Sequence, residues 1–274
     1  MIVNLNGRFV SPGEARISVD DGTILFGESL FETMKARRQN LLFLDEHLDR
    51  IELAAGLLNF PFSRETIRQA LMETAARLES PASRLRLTVS RGSFSGLIFP
   101  PPSQGHFIIS AGPYREPTQE ERLGGIRCVF ALNRRVNPLS HLPQMKRGNY
   151  ADCLYAANHA LSRGAREALF KTDDGLALEG ATSNLFLLRD RTLVTPPAGE
   201  LVLAGIMRRQ ILSAAKRLGF AIEEREVFCQ ELFAADEAFI TNSLIELLPI
   251  DSIEGRALSR GEASEELRRV VESR

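Results

Sequence analysis

An apolar stripe at helical spacing in the first part of the chain most constrains how it can fold. Apolar side chains recur there every three or four residues, at Leu44, Leu48, Ile51, Ala55 and Leu58. This is the period of an amphipathic helix, which we predict over residues 44–58. A second helix is predicted over residues 64–78.

Strand patterns lie on either side of these helices. Val3–Val10 predicts a β-hairpin that turns at Asn6-Gly7. Arg84–Arg91 alternates polar and apolar residues as a half-buried strand does, and His106–Gly112 fits a buried strand. The first ~110 residues are therefore predicted to be α+β.

The chain is predicted to form two domains, because the polar segment Gly112–Arg122 carries two prolines and precedes a Gly-Gly pair. The fold class is α/β, in a two-domain α+β arrangement. We predict a small N-terminal α/β domain at 1–115, a linker at 116–124 and a larger C-terminal domain at 125–274. Patterns in the second domain predict strands at 126–132, 223–228 and 237–242, a strand pair over 185–194, helices at 149–163 and 205–218, a hairpin turning at 173–175, and a charged C-terminal helix.

Composition excludes several classes of protein. The net charge is −1, so no large basic field for nucleic acid is evident. No apolar run approaches the ~20 residues of a membrane helix, and no charged leader precedes an apolar core. The cysteines and histidines are scattered without metal-ligand spacing, and dinucleotide, P-loop and GxSxG motifs are missing. We expect a soluble cytoplasmic protein without a metal site.

Two residues in the second half of the chain carry groups that suit cofactor chemistry. Lys146 lies in a loop just before a predicted helix, and Glu179 lies on a strand followed by Gly180 and further small residues. A lysine amine can form a Schiff base with an aldehyde cofactor, and a carboxylate can keep a pyridinium nitrogen protonated. Taken alone, each is more commonly a solvated surface residue.

Three further segments could hold a phosphate group. Gly205 leads into a predicted helix, whose first backbone N–H groups suit a phosphate monoester. The strand ending at Thr241-Asn242-Ser243 offers hydroxyl and amide groups, and Arg50 on the first helix offers a guanidinium. Each of these signals is weak alone, since capping residues and solvated charged faces are common.

The order of these segments resembles that of the fold type IV pyridoxal phosphate (PLP) enzymes. That family contains branched-chain aminotransferases, D-amino acid aminotransferases and 4-amino-4-deoxychorismate lyases. The resemblance spans residues 1 to about 250. It rests on six ordered motifs: Phe26-Gly-Glu-Ser-Leu-Phe-Glu, Glu46-His-Leu-Asp-Arg50, Lys146-Arg-Gly-Asn149, Glu179-Gly-(x)3-Asn184, Gly205-Ile-Met-Arg and Thr241-Asn-Ser-Leu.

The resemblance implies a role for each motif. Lys146 would form the Schiff base and then move protons at the substrate carbon, and Glu179 would hold the pyridine nitrogen protonated. Tyr150 would reach the ring hydroxyl or the substrate. The phosphate would be anchored by Arg50, Gly205, the backbone at Ile206 and Met207, and Asn242 and Ser243. The family also implies a PLP cleft between the two domains, a small-molecule amino substrate and a homodimer.

Within the family the chain resembles 4-amino-4-deoxychorismate lyase, which forms pyruvate and 4-aminobenzoate for folate synthesis, in its segments Gly205-Ile-Met-Arg, Thr241-Asn-Ser-Leu and Asn137-Pro138. Branched-chain enzymes typically have tyrosine and threonine where this chain has Phe26 and Met207. D-amino acid aminotransferases carry an arginine and a histidine after the strand that here ends at Arg91-Gly92. The lyase pattern Arg-Gly-(x)3-Arg-Gly-Tyr is also missing there, so recognition near residues 93–99 is expected to differ.

Two alternatives stay open at this point: an aminotransferase of the D-amino acid or branched-chain type using 2-oxoglutarate, and a PLP-binding protein that has lost turnover. Intact Lys146 and Glu179 argue against the second. Basic candidates for the substrate carboxylates are Arg91, Arg134 and Arg135. Phe26 is also a candidate for contact with the substrate.

Overall fold

The computed structural model describes residues 1–272, and the chain divides into two compact units. The first unit contains Met1–Glu116 together with Met145–Tyr150, and the second contains Pro117–Gln144 and the chain from Ala151 onward. The segment with Lys146 therefore groups with the first unit, whereas the sequence analysis assigned it to the C-terminal domain.

An antiparallel sheet forms the first unit, with strand order β2-β1-β6-β5-β3-β4. Helices pack against it and bury the apolar side chains of α2 and α3 with those of β3 and β5. The elements are β1 Ile2–Leu5, β2 Arg8–Val10, α1 Gly22–Phe26, β3 Ser29–Arg37, β4 Asn40–Leu41, α2 Leu44–Leu58, α3 Arg64–Ala75, β5 Ala82–Ser90 and β6 His106–Pro113.

Local sequence signals account for most of this unit. Helix α2 spans the predicted residues 44–58, and α3 ends three residues before the predicted end at 78. The hairpin at Asn6-Gly7 is confirmed, with φ of 51° and 84° at the turn. These positive angles are those of a turn that matches strand twist, which explains the Asn-Gly pair.

Strand β3 was not predicted, although it pairs with β5 along its whole length in the sheet. Its sequence contains Glu32 and Lys35, which are 1% and 0% exposed. Charged residues are almost never fully buried unless paired. Here Lys35 forms an ion pair with Glu116, and Glu32 is paired with helix α2. These partners are distant in sequence, so no local pattern indicates the strand.

The lysine segment joins the first unit by backbone pairing with the start of β3. The N–H of Phe31 donates to the carbonyl of Lys146 at 3.0 Å, and the N–H of Gly148 donates to the carbonyl of Ser29 at 2.7 Å. A Cβ on Gly148 would lie 2.7 Å from the backbone carbonyl oxygen of Gly27, so only glycine permits this approach. The backbone position of Lys146 is thus fixed by β3.

A sheet of ten strands forms most of the second unit, in the order β12-β11-β10-β14-β15-β7-β8-β9-β13, with β16 beside β15. Pairing of β9 with β10 closes a ring of six of them. The elements are α4 Gln119–Gly124, β7 Ile126–Phe130, α5 Ala151–Ser162, β8 Glu167–Lys171, β9 Leu176–Gly180, β10 Asn184–Arg189, β11 Thr192–Thr195, α6 Ile206–Arg217, β12 Ala221–Glu224, β13 Val227–Phe228, α7 Cys229–Leu232, β14 Glu237–Asn242, β15 Glu246–Ile253, β16 Arg256–Ala257 and α8 Ala263–Glu272.

Part of the predicted linker is helical. Within 116–124, residues Gln119–Gly124 form α4 because Thr118 and Glu121 make a reciprocal capping box. The two prolines precede this cap and therefore do not interrupt the helix. Strand β15 was not predicted either, whereas β14 spans the predicted residues 237–242. Among residues 1–272, no helix is both long and apolar enough to cross a membrane.

Candidate active site

Two aromatic rings surround the amine of Lys146. Its Nζ lies 4.6 Å from the ring centre of Phe31 and 5.5 Å from that of Tyr150. The two rings meet edge to face at 5.3 Å. Phe31 belongs to β3, and Tyr150 lies in the same unit as Lys146, so the first unit positions the amine. Lys146 is half-buried as a residue, and its amine lies within cation–π distance of both rings.

Arg86 lies on the same side of the sheet, and the sequence analysis did not single it out. Its guanidinium carbon is 3.7 Å from the centre of the Phe31 ring. Burial lowers the pKa of Arg86, and the neighbouring charge of Arg84 lowers it further. Within residues 1–272, no carboxylate forms an ion pair with Arg86. The alternation of Arg84-Leu-Arg86-Leu, which puts both arginines on one face of a strand, was the available signal.

Arg50 is held by a buried carboxylate. Its Nε and Nη2 donate to Oε1 and Oε2 of Glu32 at 2.7 and 2.6 Å. The same carboxylate lies 2.7 Å from Nδ1 of His47. Burial opposes ionisation of Glu32, but the charges of Arg50 and His47 hold its pKa at about 2. The plane of the Arg50 guanidinium is therefore set from within the unit.

The predicted substrate arginines differ in their surroundings. Arg91 is buried, and its guanidinium donates to Glu28 and to the carbonyls of Leu58 and Asn59. It thus ties the end of β5 to the end of α2. Arg134 is exposed and pairs with Asp173 on a hairpin. Phe26 is partly exposed and packs edge to face against Phe94 at 5.4 Å.

Glu179 lies in the second unit, on the strand whose pairing with β10 closes the ring. Its Oε1 accepts from Arg135 Nε at 2.9 Å, and its Oε2 accepts from Asn184 Nδ2 at 3.2 Å and from the N–H of Leu203 at 3.0 Å. Arg135 also donates to Asp152 at 2.5 Å. Burial lowers the pKa of Arg135, but the charges of Glu179, Cys153 and Asp152 outweigh it and raise the pKa overall.

A second buried carboxylate shapes the turn between Glu179 and Asn184. Oε2 of Glu167 accepts from Thr182 N and Oγ1 at 3.3 and 2.7 Å, and from Ser183 Oγ at 2.9 Å. Burial raises the pKa of Glu167, and these hydrogen bonds lower it by less. No local pattern marked Glu167, because its partners lie fifteen and sixteen residues away.

The predicted phosphate segments are present as a helix start and a strand end. Helix α6 begins at Ile206 after Gly205, which offers no side-chain cap to the first N–H groups. A Cβ on Gly205 would lie 1.9 Å from Oδ1 of Asn184, so any larger residue there must displace the Asn184 side chain. Asn242 donates to the carbonyl of Thr182 at 3.1 Å, and Ser243 is half-buried.

One buried hydroxyl in this region has no partner among residues 1–272. Thr241 is 0% exposed, and its Oγ1 makes no hydrogen bond there. An unsatisfied buried donor is costly and indicates a missing acceptor. Together with the uncapped start of α6, it forms a donor set that fits a phosphate group. A lysine amine and an arginine-held carboxylate fit the aldehyde and the ring nitrogen of PLP.

Comparison with known proteins gives the family of this chain. Residues 29–253 match the model of the amino-transferase class IV family, and the chain belongs to that family. It is a PLP-dependent enzyme with the fold of the type IV group. The family resemblance, the fold class, the enzymatic nature and the cofactor predicted from the sequence are thereby confirmed.

Similar proteins include both of the reaction types considered. A putative branched-chain-amino-acid aminotransferase of Methanocaldococcus jannaschii is 30% identical over 99% of this chain and 94% of its own length. The branched-chain aminotransferase of the thermophilic archaeon Thermoproteus uzoniensis, solved with norvaline, superposes with a TM-score of 0.88 at 27% identity, covering 99% and 93% of the two chains. The 4-amino-4-deoxychorismate lyase of Pseudomonas aeruginosa has a TM-score of 0.87 at 27% identity, covering 99% and 98%.

Proposed function

We propose that the chain is a 4-amino-4-deoxychorismate lyase, which eliminates pyruvate and leaves 4-aminobenzoate, a folate precursor. The observation that carries this choice is the first turn of α6. Met207 is 1% exposed there and packs into the interior, so this position cannot offer the hydroxyl that branched-chain enzymes typically have. Phe26, partly exposed, likewise has no hydroxyl. The segment after Arg91 lacks the arginine and histidine typical of D-amino acid aminotransferases.

Bound PLP supplies an aldehyde that condenses with amines and a protonated ring that withdraws electrons from the adjacent carbon. Lys146 would hold the cofactor through its amine, and the amine would take the proton from the substrate carbon that bears nitrogen once the substrate has displaced it. Glu179 would stabilise the proton on the ring nitrogen, since Arg135 and Asn184 fix its carboxylate. Tyr150, whose ring lies beside the lysine amine, orients the ring hydroxyl or the substrate.

The phosphate is proposed to bind to Arg50, to the backbone N–H groups of Ile206 and Met207 next to Gly205, and to Asn242 and Ser243. Helix N-termini suit anions because their first N–H groups have no intrahelical acceptor. The unpartnered hydroxyl of Thr241 supports this proposal and adds a donor that the sequence analysis did not name.

Arg86 is the best candidate for a substrate carboxylate. It is partly buried, stacks on Phe31 and forms no ion pair within residues 1–272. Arg91 and Arg134, by contrast, are already engaged by Glu28 and Asp173. A half-buried guanidinium without a carboxylate suits an anionic substrate group. This assignment replaces Arg91 and Arg134 in our proposal.

An aminotransferase is the second candidate, and the 30% identity to the Methanocaldococcus protein favours it. The same lysine and carboxylate serve both reactions, because both begin by removing a proton at the carbon that bears nitrogen. What differs is the bond broken next and the need for a keto acid as amino acceptor.

The two candidates are separated by supplying 4-amino-4-deoxychorismate without a keto acid, beside D- and L-amino acids with 2-oxoglutarate. The proposal predicts release of 4-aminobenzoate and pyruvate in the first reaction. Formation of keto acids from the amino acids, with no 4-aminobenzoate from the first reaction, would establish the aminotransferase. Lys146→Ala is the control and should abolish either reaction.

We also propose that the protein acts in the cytoplasm as a homodimer. Support comes from the first unit, which exposes an apolar surface at Ile24, Leu25, Leu97, Ile98 and Phe99. Clusters of exposed apolar side chains are typical of protein interfaces. Sedimentation at micromolar concentration tests this directly, and a monomer would contradict it.

A further inference from the structure

Glu32 is a buried carboxylate with three strong donors on one helix. It is 1% exposed on β3 and faces α2, where His47 and Arg50 are three residues apart and therefore share a face. Arg50 places both nitrogens of one guanidinium edge on the two carboxylate oxygens, at 2.7 and 2.6 Å. This bidentate geometry fixes the plane of the guanidinium as well as its position.

The charges in this cluster compensate each other. Glu32 is ionised above pH ~2, because Arg50 and His47 lower its pKa to about 2. Burial, the largest influence, lowers the pKa of His47, which favours the neutral ring. Glu32 and Arg50 together then carry no net charge. A phosphate bound at Arg50 would therefore interact with oriented N–H donors of a Glu32–Arg50 pair that carries little net positive charge.

His47 is fixed by the same carboxylate. Its Nδ1 donates to Glu32, so the neutral ring carries its lone pair on Nε2. That nitrogen is buried and has no partner within residues 1–272. The imidazole therefore supports Glu32 from one side while Arg50 engages it from the other.

We propose that Glu32 is a positioning residue for the cofactor phosphate, acting by locking the Arg50 guanidinium in the orientation that receives it. The inference rests on the proposed role of Arg50 in phosphate binding. This proposal and a purely electrostatic effect predict opposite changes in phosphate affinity when the charge of Glu32 is removed. Removing the charge of Glu32 makes the cluster more positive, which by charge alone strengthens phosphate binding, whereas loss of orientation weakens it.

The test compares PLP with pyridoxal, which lacks the phosphate, in Glu32→Gln and in the wild-type protein. Binding is followed by the absorbance of the bound cofactor. A charge-assisted hydrogen bond contributes about 1.5–3 kcal/mol, so the dissociation constant for PLP should rise about tenfold or more. The constant for pyridoxal should stay within about twofold of the wild-type value. Glu52→Gln, on the exposed side of α2, makes the same change in charge and should alter neither constant.

Each outcome is decisive. Tighter PLP binding by Glu32→Gln, or equal losses for PLP and pyridoxal, would overturn the proposal, the second by showing a general structural role. A wild-type protein that binds neither compound would refute the proposed function instead. Should Glu32→Gln not fold, Glu32→Asp keeps the charge and withdraws the carboxylate by one methylene. It should show the same selective loss of PLP, and unchanged PLP binding would overturn the proposal.

A double-mutant cycle with Arg50→Lys adds an independent test. Lysine keeps the charge but lacks the planar fork. If Glu32 acts through Arg50, Glu32→Gln should weaken PLP binding little further in the Arg50→Lys background. Additive losses would show that Glu32 acts by another route, contrary to the proposal.

Discussion

Arg135 donates from Nε to Oε1 of Glu179 at 2.9 Å, and both side chains are at least 93% buried. The sequence analysis considered Arg135 for substrate carboxylates, but the structure engages it with Glu179 and Asp152. A carboxylate fixed in this way can stabilise a proton on a ring nitrogen without turning away from it. The pair is therefore central to our account of the chemistry.

Replacing Arg135 by Gln should leave the Glu179 carboxylate buried beside a neutral group. Breaking a buried ion pair typically costs 3–5 kcal/mol, so we expect the free energy of unfolding to fall by about that amount. Chemical denaturation measures this. The adjacent Arg134 forms an exposed ion pair with Asp173, so Arg134→Gln should change the free energy of unfolding by less than about 0.5 kcal/mol. Equal effects of the two variants would show that the buried Arg135–Glu179 pair contributes no more to stability than the exposed Arg134–Asp173 pair.

Gly205→Ala should disturb Glu179 through Asn184. The new Cβ would lie 1.9 Å from Asn184 Oδ1, and Asn184 donates to Glu179. We expect a loss of about 1–3 kcal/mol in stability from overpacking, together with weaker PLP binding. Gly199→Ala is the matched control, because its Cβ would meet no atom within 4 Å. PLP binding that is unchanged in Gly205→Ala would contradict this arrangement.

Arg86→Gln should impair substrate binding selectively. Losing a charged hydrogen bond to a carboxylate should raise KM about tenfold or more, while the dissociation constant for PLP stays the same. Arg84→Gln, two residues away and exposed, serves as the control and should have a smaller effect on KM. An unchanged KM for Arg86→Gln would place the carboxylate site elsewhere.

Glu167 should make the protein less stable as pH rises. Its pKa is raised by burial in the folded state, so folding favours the protonated carboxyl. This contribution is fully present below the ordinary glutamate pKa and is lost as pH rises through the higher folded pKa. Thermal unfolding of wild type and Glu167→Gln across that range measures it. The variant should lose this part of the pH dependence, and identical profiles would contradict the assignment.

Much of the first unit could be predicted from local sequence, but strand β3 could not. The stripe from Leu44 to Leu58 and the Asn6-Gly7 turn act through neighbouring residues, so their patterns are visible. Strand β3 contains charged residues that become buried only because Glu32 meets Arg50 and Lys35 meets Glu116. Such ion pairs form only in the tertiary structure, so they produce no periodic pattern in the sequence.

The candidate site shows the same division. The ordered motifs were enough to select Lys146, Glu179 and Arg50, whose roles stay proposals, and the family match supports the cofactor. The residues that contact them could be identified only from the structure. Only folding creates the contacts of Arg135, Glu167 and Arg86. The backbone pairing of the Lys146 segment with β3 likewise joins residues that are more than a hundred positions apart in the sequence.

The most direct test of the account is where PLP attaches. The purified protein is saturated with PLP, reduced with borohydride, digested and analysed by mass spectrometry. The account predicts a phosphopyridoxyl group on Lys146 in the peptide that contains Met145-Lys-Arg-Gly-Asn, and none on that peptide in Lys146→Ala. A reduced cofactor on another lysine, or no attachment in the wild-type protein, would contradict it.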